Sequence, residues 1–150
     1  MPERETLERA REDAREGKSP STQAGEFVRE EIHHVREGKH GAASTKQAIA
    51  IGLSKARRAG VKLGAPPRGS KARTKQSAKS AARAARTHRK PSPKRSRAGL
   101  RALKGEGHRA ASRKNLAKQA RSAARRRSPA SRSAAAKKAA RTRKRERAAA

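Results

Sequence analysis

Cysteine, tryptophan and tyrosine are missing from this sequence of 150 residues, and Phe27 is its lone aromatic. Without thiols there is no disulfide frame, no thiolate metal site and no cysteine nucleophile. Without aromatic platforms there is nothing on which single-stranded bases would stack. Large aliphatics are scarce as well. Val, Ile, Leu and Phe together number thirteen, and nine of them lie between Ser19 and Leu63. No apolar run approaches the ~18 residues that span a bilayer, so no membrane partner is expected. The first residues, MPERETLERARED, are charged throughout and unlike a signal peptide. The composition suits the cytoplasm of a bacterium or the nucleus of a eukaryote.

Acidic residues are also nearly missing from the second half. Residues 1–65 hold 13 Lys and Arg against 10 Asp and Glu, a net of +3. Residues 66–150 hold 30 against 2, a net of +28. Low hydrophobicity with high net charge is the signature of disorder, because too little apolar surface is buried to offset backbone entropy. The chain reads as a near-neutral head, organised around Ser19–Leu63, carrying a polycationic tail.

Within the head, residues 3–16 read as a helix supported by an i,i+4 pair of Glu5 and Arg9. Its apolar stripe is thin (Leu7, Ala10, Ala14), so it is expected to be solvated and to fray; docking on the next helices is the alternative. Ser19-Pro20 places a favoured N-cap before a proline at the first helical position. Ala24, Val28, Ile32 and Val35 then share a face, with Phe27 at its edge. Ser44-Thr45-Lys46-Gln47 is a capping box, so a third helix begins there. It groups Ile49, Gly52, Leu53, Ala56 and Ala59. Gly17, Gly38 and Gly60 supply the stops. The short linker Gly38–Ala43 implies an antiparallel αα-hairpin. So small a hairpin is marginal alone and calls for a second copy or a partner. Ile51, between Lys55 and Arg58 on the opposite side, is the candidate interface residue.

No catalytic constellation survives inspection, and no enzyme activity or cofactor is expected. Gly17-Lys18-Ser19 mimics the end of a phosphate-binding loop, but Glu12 stands where its first glycine must be. Gly105-Glu106-Gly107 lacks the third glycine of a dinucleotide fingerprint. His33 and His34, adjacent on a helix, point about 100° apart and cannot share one ion; His34 and His40 read as satisfied or surface histidines. No metal site is expected. The head is too small to bury its carboxylates well.

Beyond the linker Ala65–Gly69 the chain is mostly Ala, Lys, Arg and Ser. Lys71–Arg86, Ala110–Arg127 and Ser131–Arg147 have helical potential, but they lack an apolar face and repel themselves. Pro91, Pro93, Gly105, Gly107 and Pro129 punctuate them. The tail is expected to be disordered, or helical only when phosphates neutralise it. Such a polycation binds nucleic acid by displacing the counterions of the phosphates. The cations expected to do so, beginning at the end of the head, are Lys55, Arg57, Arg58, Lys62, Arg68, Lys71, Arg73, Lys75, Lys79, Arg83, Arg86, Arg89, Lys90, Lys94, Arg95, Arg97, Arg125, Arg126, Arg127, Lys137, Lys138, Arg141, Arg143, Lys144 and Arg145. Lys90-Pro91-Ser92-Pro93-Lys94-Arg95 resembles the Ser-Pro-basic-basic turns of histone tails, which suit narrow A·T minor grooves.

Residues 66–150 resemble, in composition, the tails of linker histones and of bacterial histone-like proteins. Ser44–Gly60, STKQAIAIGLSKARRAG, resembles the signature of a family of small, basic bacterial proteins of unknown function. Lys46–Leu53, Ser54, Ala56 and Arg57 match it, and Glu37–Gly41 resembles its upstream part. The likeness covers Ser19–Leu63 and implies a bacterial source and a compact helical unit, with no activity attached.

The expected fold is therefore mainly α: a charged N-terminal helix (1–18), a helical hairpin (19–64) and a basic low-complexity tail (65–150). The expected function is binding of DNA without sequence preference, in the manner of a nucleoid or histone-like protein at the bacterial nucleoid. One alternative is a self-associating or partner-binding module, through residues 19–63, that the tail merely tethers to nucleic acid. Another is association with RNA or the ribosome.

Overall fold

Seven α-helices and one 3-10 turn make up the computed structural model, which describes residues 2–87 and 92–149. The helices are α1 (Arg4–Arg15), α2 (Pro20–Arg36), α3 (Thr45–Arg58), α4 (Ala72–Arg86), α5 (Pro93–Lys104), α6 (Arg113–Arg125) and α7 (Pro129–Ala149). The 3-10 turn, Arg109–Ala111, lies between α5 and α6. No strand occurs among the described residues, and no described helix is long and apolar enough to cross a membrane. The chain divides into two compact units, residues 1–112 and 113–150.

The boundaries of the first three helices follow their local chemistry. Ser44 Oγ accepts from the Gln47 amide at 3.2 Å, and Gln47 Oε1 reaches back to the Ala43 amide at 2.7 Å. At the other end of the helix, the Gly60 amide bonds Arg57 O and the Val61 amide bonds Ala56 O, both at 3.1 Å. This is a Schellman motif, and α1 and α2 close in the same pattern at Gly17 and Gly38.

In the first unit α2 is the central element, with α1 packed on one side and α3 on another. The buried set on α2 is Ala24, Phe27, Glu30, Glu31, Ile32 and Val35, wider than the stripe expected from its periodicity. Two neighbours explain the width: Phe27 is fully buried at the centre, and Val28 is only half-buried at the edge. The core gathers Ala10, Ala24, Phe27 and Ala56, with Leu7, Leu53, Val61 and Leu63 against it. The first helix thus docks instead of fraying. Thr6 and Ala10 are buried, and Arg9 reaches across to Glu26 at 2.8 Å.

On α3 the buried face is Thr45, Ala48, Gly52 and Ala56, while Ile49 and Leu53 flank it half-buried. Small residues sit at the closest approach because they let the backbones meet, which turns the face by about one residue from the expected one.

The tail is the largest departure from expectation. Its described residues are mostly helical, and part of it packs on the head. Helix α4 lies along α3, with Ala81 buried and Ala78, Ala82 and Ala85 half-buried beside it. That alanine stripe has the i, i+3, i+4, i+7 spacing of a packing face. Alanine loses no side-chain entropy on burial, so the stripe suffices where large aliphatics are lacking. Of the prolines expected to punctuate the tail, Pro93 and Pro129 instead begin helices, and Pro91 lies outside the described residues. Ser92-Pro93 opens α5 and Ser128-Pro129 opens α7, as Ser19-Pro20 opens α2. Ser92–Arg95 is thus the first turn of a helix and not a free turn.

A second part of the tail returns to the head. The Gly41 amide bonds Leu103 O at 2.8 Å, and the Ala42 amide bonds Gly107 O at 3.1 Å. Thr45 Oγ1 donates to Ala110 O at 2.6 Å and Arg36 Nε to Ala111 O at 2.9 Å, leaving Ala110 and Ala111 buried. Gly41 permits this contact: a Cβ there would stand 1.8 Å from Glu106 O and 2.3 Å from its carbonyl carbon. Gly41→Ala is therefore expected to release residues 103–107 while leaving α2 and α3 helical. Hydrogen exchange at the amides of residue 41 and Ala42 should accelerate by at least about tenfold, the loss of a net ~1.4 kcal/mol from two such bonds.

In the second unit, α6 keeps Asn115, Leu116, Gln119, Ser122 and Ala124 half-buried, and α7 keeps only Ala135 so. Ser128 Oγ caps α7 by accepting from the Ser131 amide at 3.2 Å. The other described side chains of α7 are exposed.

Candidate functional site

Charge is handled differently in the head and the tail. In the head, Glu3, Glu5, Asp13, Glu16, Glu26, Glu30, Glu31 and Glu37 all sit in ion pairs within residues 1–65. At the centre of this network two neighbouring carboxylates of α2 are buried. Lys55, from α3, places its ammonium 2.9 Å from Glu30 Oε1 and 2.8 Å from Glu31 Oε2. Burial alone would lower the Lys55 pKa, but the two carboxylates outweigh it and the group is held above the ordinary lysine range. Burial likewise works to raise Glu30. Lys55, the Glu3 amide at 3.1 Å and Thr6 overcome it, so Glu30 stays below the usual carboxylate range. Glu3, at the start of α1, is lowered to about 2 by hydrogen bonds from His34 and Lys39.

This arrangement corrects two expectations. The head does bury carboxylates, because α1 and α3 both cover α2. And Lys55, expected to meet phosphates, turns inward to Glu30 and Glu31. Arg57 is half-buried and donates to Gly64 O at 3.2 Å, whereas Arg58 and Lys62 are exposed. Ile51 is half-buried on a helix that α4 packs against. Within the same chain, α1, α4 and the 3-10 turn all pack on the hairpin.

The remaining expected cations separate by element. Arg68 and Lys71 lie in the linker, and Arg73, Lys75, Lys79, Arg83 and Arg86 lie on α4; all seven are exposed. On α4 the alanine stripe turns inward, so its cations face away from the core. Arg89 and Lys90 lie outside the described residues. Lys94, Arg95 and Arg97 are exposed on α5, as are Arg125 at the end of α6 and Arg126 and Arg127 after it. Lys137, Lys138, Arg141, Arg143, Lys144 and Arg145 are exposed on α7. At 100° per residue five of these last six fall within a sector of about 120°, with Arg143 apart, on a helix of roughly 30 Å with no apolar stripe. Glu106 and Glu146 are the only acidic residues beyond residue 65.

The histidines fall apart in an unexpected way. His33 is exposed and paired with Glu37 at 2.9 Å. His34, by contrast, meets His40 edge to face at 6.0 Å between centroids, and both lie beside Glu31. The right-angle argument about His33 and His34 misses this grouping, because the third member returns from the linker. The only sequence signal is the Gly38 stop, which turns the chain back.

A helical, strongly basic chain is what fold and charge define. Residues 15–68 match DUF6496, a family of unknown function, so that a little over a third of the chain is similar to that family. The matched span contains α2, α3 and the linker between them. No curated protein and no solved structure matches the chain.

Proposed function

We propose that the protein binds nucleic acid through the phosphate backbone, without sequence preference, in the manner of a nucleoid or histone-like protein. The observation that carries this reading is the contrast in charge satisfaction. Eight of the ten head carboxylates are paired within the head, whereas the tail exposes its cations on α4, α5 and α7 with two acidic residues to offset thirty basic ones. That excess exceeds what solubility requires. Preformed helices lower the ordering entropy that a disordered tail loses on binding. On α7 they carry eight Lys and Arg in 21 residues, about one cation per 4 Å of axis, comparable to the ~3.4 Å per phosphate of one DNA strand. Nothing in α4–α7 presents a set of side chains suited to base edges, and the near absence of aromatics favours duplex over single strands.

The test is a salt series on the full chain with two unrelated duplexes. If about ten phosphates are neutralised, log K against log salt has a slope of about −9, equal for both sequences. Replacing Arg141, Arg143, Lys144 and Arg145 by Ala should make the slope shallower by roughly 3 to 4. A slope near zero, with protein partners retained after nuclease treatment, would instead support a partner-binding module. Preference for structured RNA over duplex DNA at equal salt would move the reading to RNA.

A further inference from the structure

Glu31 and His34 lie three residues apart on α2, and the linker after Gly38 brings His40 back to them. One donor atom of each residue lies within 4.8 Å of the other two. Glu31 is fully buried, and neither of its carboxylate oxygens has a well-directed hydrogen bond. The imidazoles are enclosed too, with His34 12% and His40 9% exposed.

Each ring is held from outside by one nitrogen. His40 Nδ1 lies 3.0 Å from Gly41 O, and His34 Nε2 lies 2.8 Å from Glu3 Oε1. Both partners are acceptors, so those nitrogens donate to them. The other nitrogen of His40, Nε2, lies 3.2 Å from Glu31 Oε1. A positive group belongs between them. Lys55 does not supply it: its ammonium sits on the other oxygen, Oε2, and is shared with Glu30. Two buried carboxylates against one ammonium leave a negative charge uncompensated.

We propose that Glu31, His34 and His40 form a Zn²⁺ site that ties α2 to the linker. Two imidazoles and a carboxylate are a borderline nitrogen and oxygen donor set that suits this ion. Tetrahedral Zn²⁺ with bonds of about 2.0–2.1 Å needs donors roughly 3.3 Å apart. The Glu31–His40 pair already has that separation, and a ring nitrogen of His34 lies within 4.8 Å of both. The outer acceptors, Glu3 on His34 and the Gly41 carbonyl on His40, are of the kind that orient zinc-bound histidines. The fourth position is left to solvent. The role is structural: His40 directly precedes the two amides, of Gly41 and Ala42, on which residues 103–107 dock.

The experiment uses the full chain, freed of nucleic acid by nuclease and high salt. Zn²⁺ affinity is measured by competition with a chromophoric chelator, and Co²⁺ serves as a spectroscopic probe. One equivalent of Zn²⁺ should bind. His34→Gln and His40→Gln should each weaken binding by at least about 100-fold, and His33→Gln, on the exposed neighbour, should leave it unchanged. In the unmodified chain Co²⁺ should give the intense visible bands of a four-coordinate ion, a readout independent of how any variant folds. No uptake of Zn²⁺ would overturn the proposal and leave a proton on His40 as the positive group. So would uptake insensitive to His34→Gln and His40→Gln, loss with His33→Gln, or a Co²⁺ spectrum indistinguishable from the aqua ion.

Discussion

Replacing Lys55 by Met is expected to destabilise the first unit by about 3–5 kcal/mol at neutral pH, the cost of leaving a buried charge without its partner. Lys55 is shared between Glu30 and Glu31, and Glu31 is fully buried. The lysine side chain itself is 21% exposed, so water softens the loss toward the lower end of that range. The pH dependence has a definite sign. In the wild-type protein Glu30 has a lowered pKa, so it contributes stability above the ordinary carboxylate pKa, and that contribution is lost as pH falls below it. Without Lys55, burial dominates and Glu30 takes up a proton more readily. The gap between the two proteins should therefore be widest near pH 7 and narrow toward pH 4. Denaturant unfolding followed by circular dichroism measures this, and adding Glu31→Gln to Lys55→Met should recover part of the loss. A difference below about 1 kcal/mol at pH 7 would mean that the pair is solvated, in the manner of surface ion pairs.

Gly52→Val is expected to separate α2 from α3. A Cβ at this position would stand 2.7 Å from Val28 Cα, 2.9 Å from Phe27 O and 3.0 Å from Val28 Cγ2. The first two are backbone atoms, which cannot rotate away, so a helix must move. Overpacking of this kind costs about 1–3 kcal/mol and occasionally more. The upper end applies here because the displaced contact holds Phe27, Ala48 and Ala56, all fully buried. Gly52→Ala discriminates further. In an exposed helix it would stabilise by about 1 kcal/mol; here the clash should exceed that gain and leave a net loss. The melting temperature of both variants checks the prediction, and a rise for Gly52→Ala would show that the helices do not meet at this residue.

Much of the head could be read from its residues because the relevant signals are local. Ser19-Pro20, the Ser44–Gln47 box and the glycines Gly17, Gly38 and Gly60 act on the backbone within a few positions. The structure ends and begins helices where they stand. The same reasoning carried over to the tail would have placed helix starts at Ser92-Pro93 and Ser128-Pro129. Those prolines instead read as breakers because no apolar stripe accompanied them. The alanines of α4 read as helix formers by propensity, and only their spacing at positions 78, 81, 82 and 85 makes them a packing face.

What the sequence by itself determined is the asymmetry of charge, the helical class and the ends of α1–α3, since composition and capping need no knowledge of neighbours. Tertiary structure alone decided that α1 docks, that α4 and residues 103–111 return to cover the hairpin, and that Lys55 faces two carboxylates instead of solvent. It also decided that His40 meets His34 and Glu31. The physical reason is common to all four. Residues separated by up to 75 positions, as Arg36 and Ala111 are, become partners only when small side chains, Gly41 and Gly52 among them, let backbones come close enough to bury polar groups. Neither periodicity nor composition records that approach.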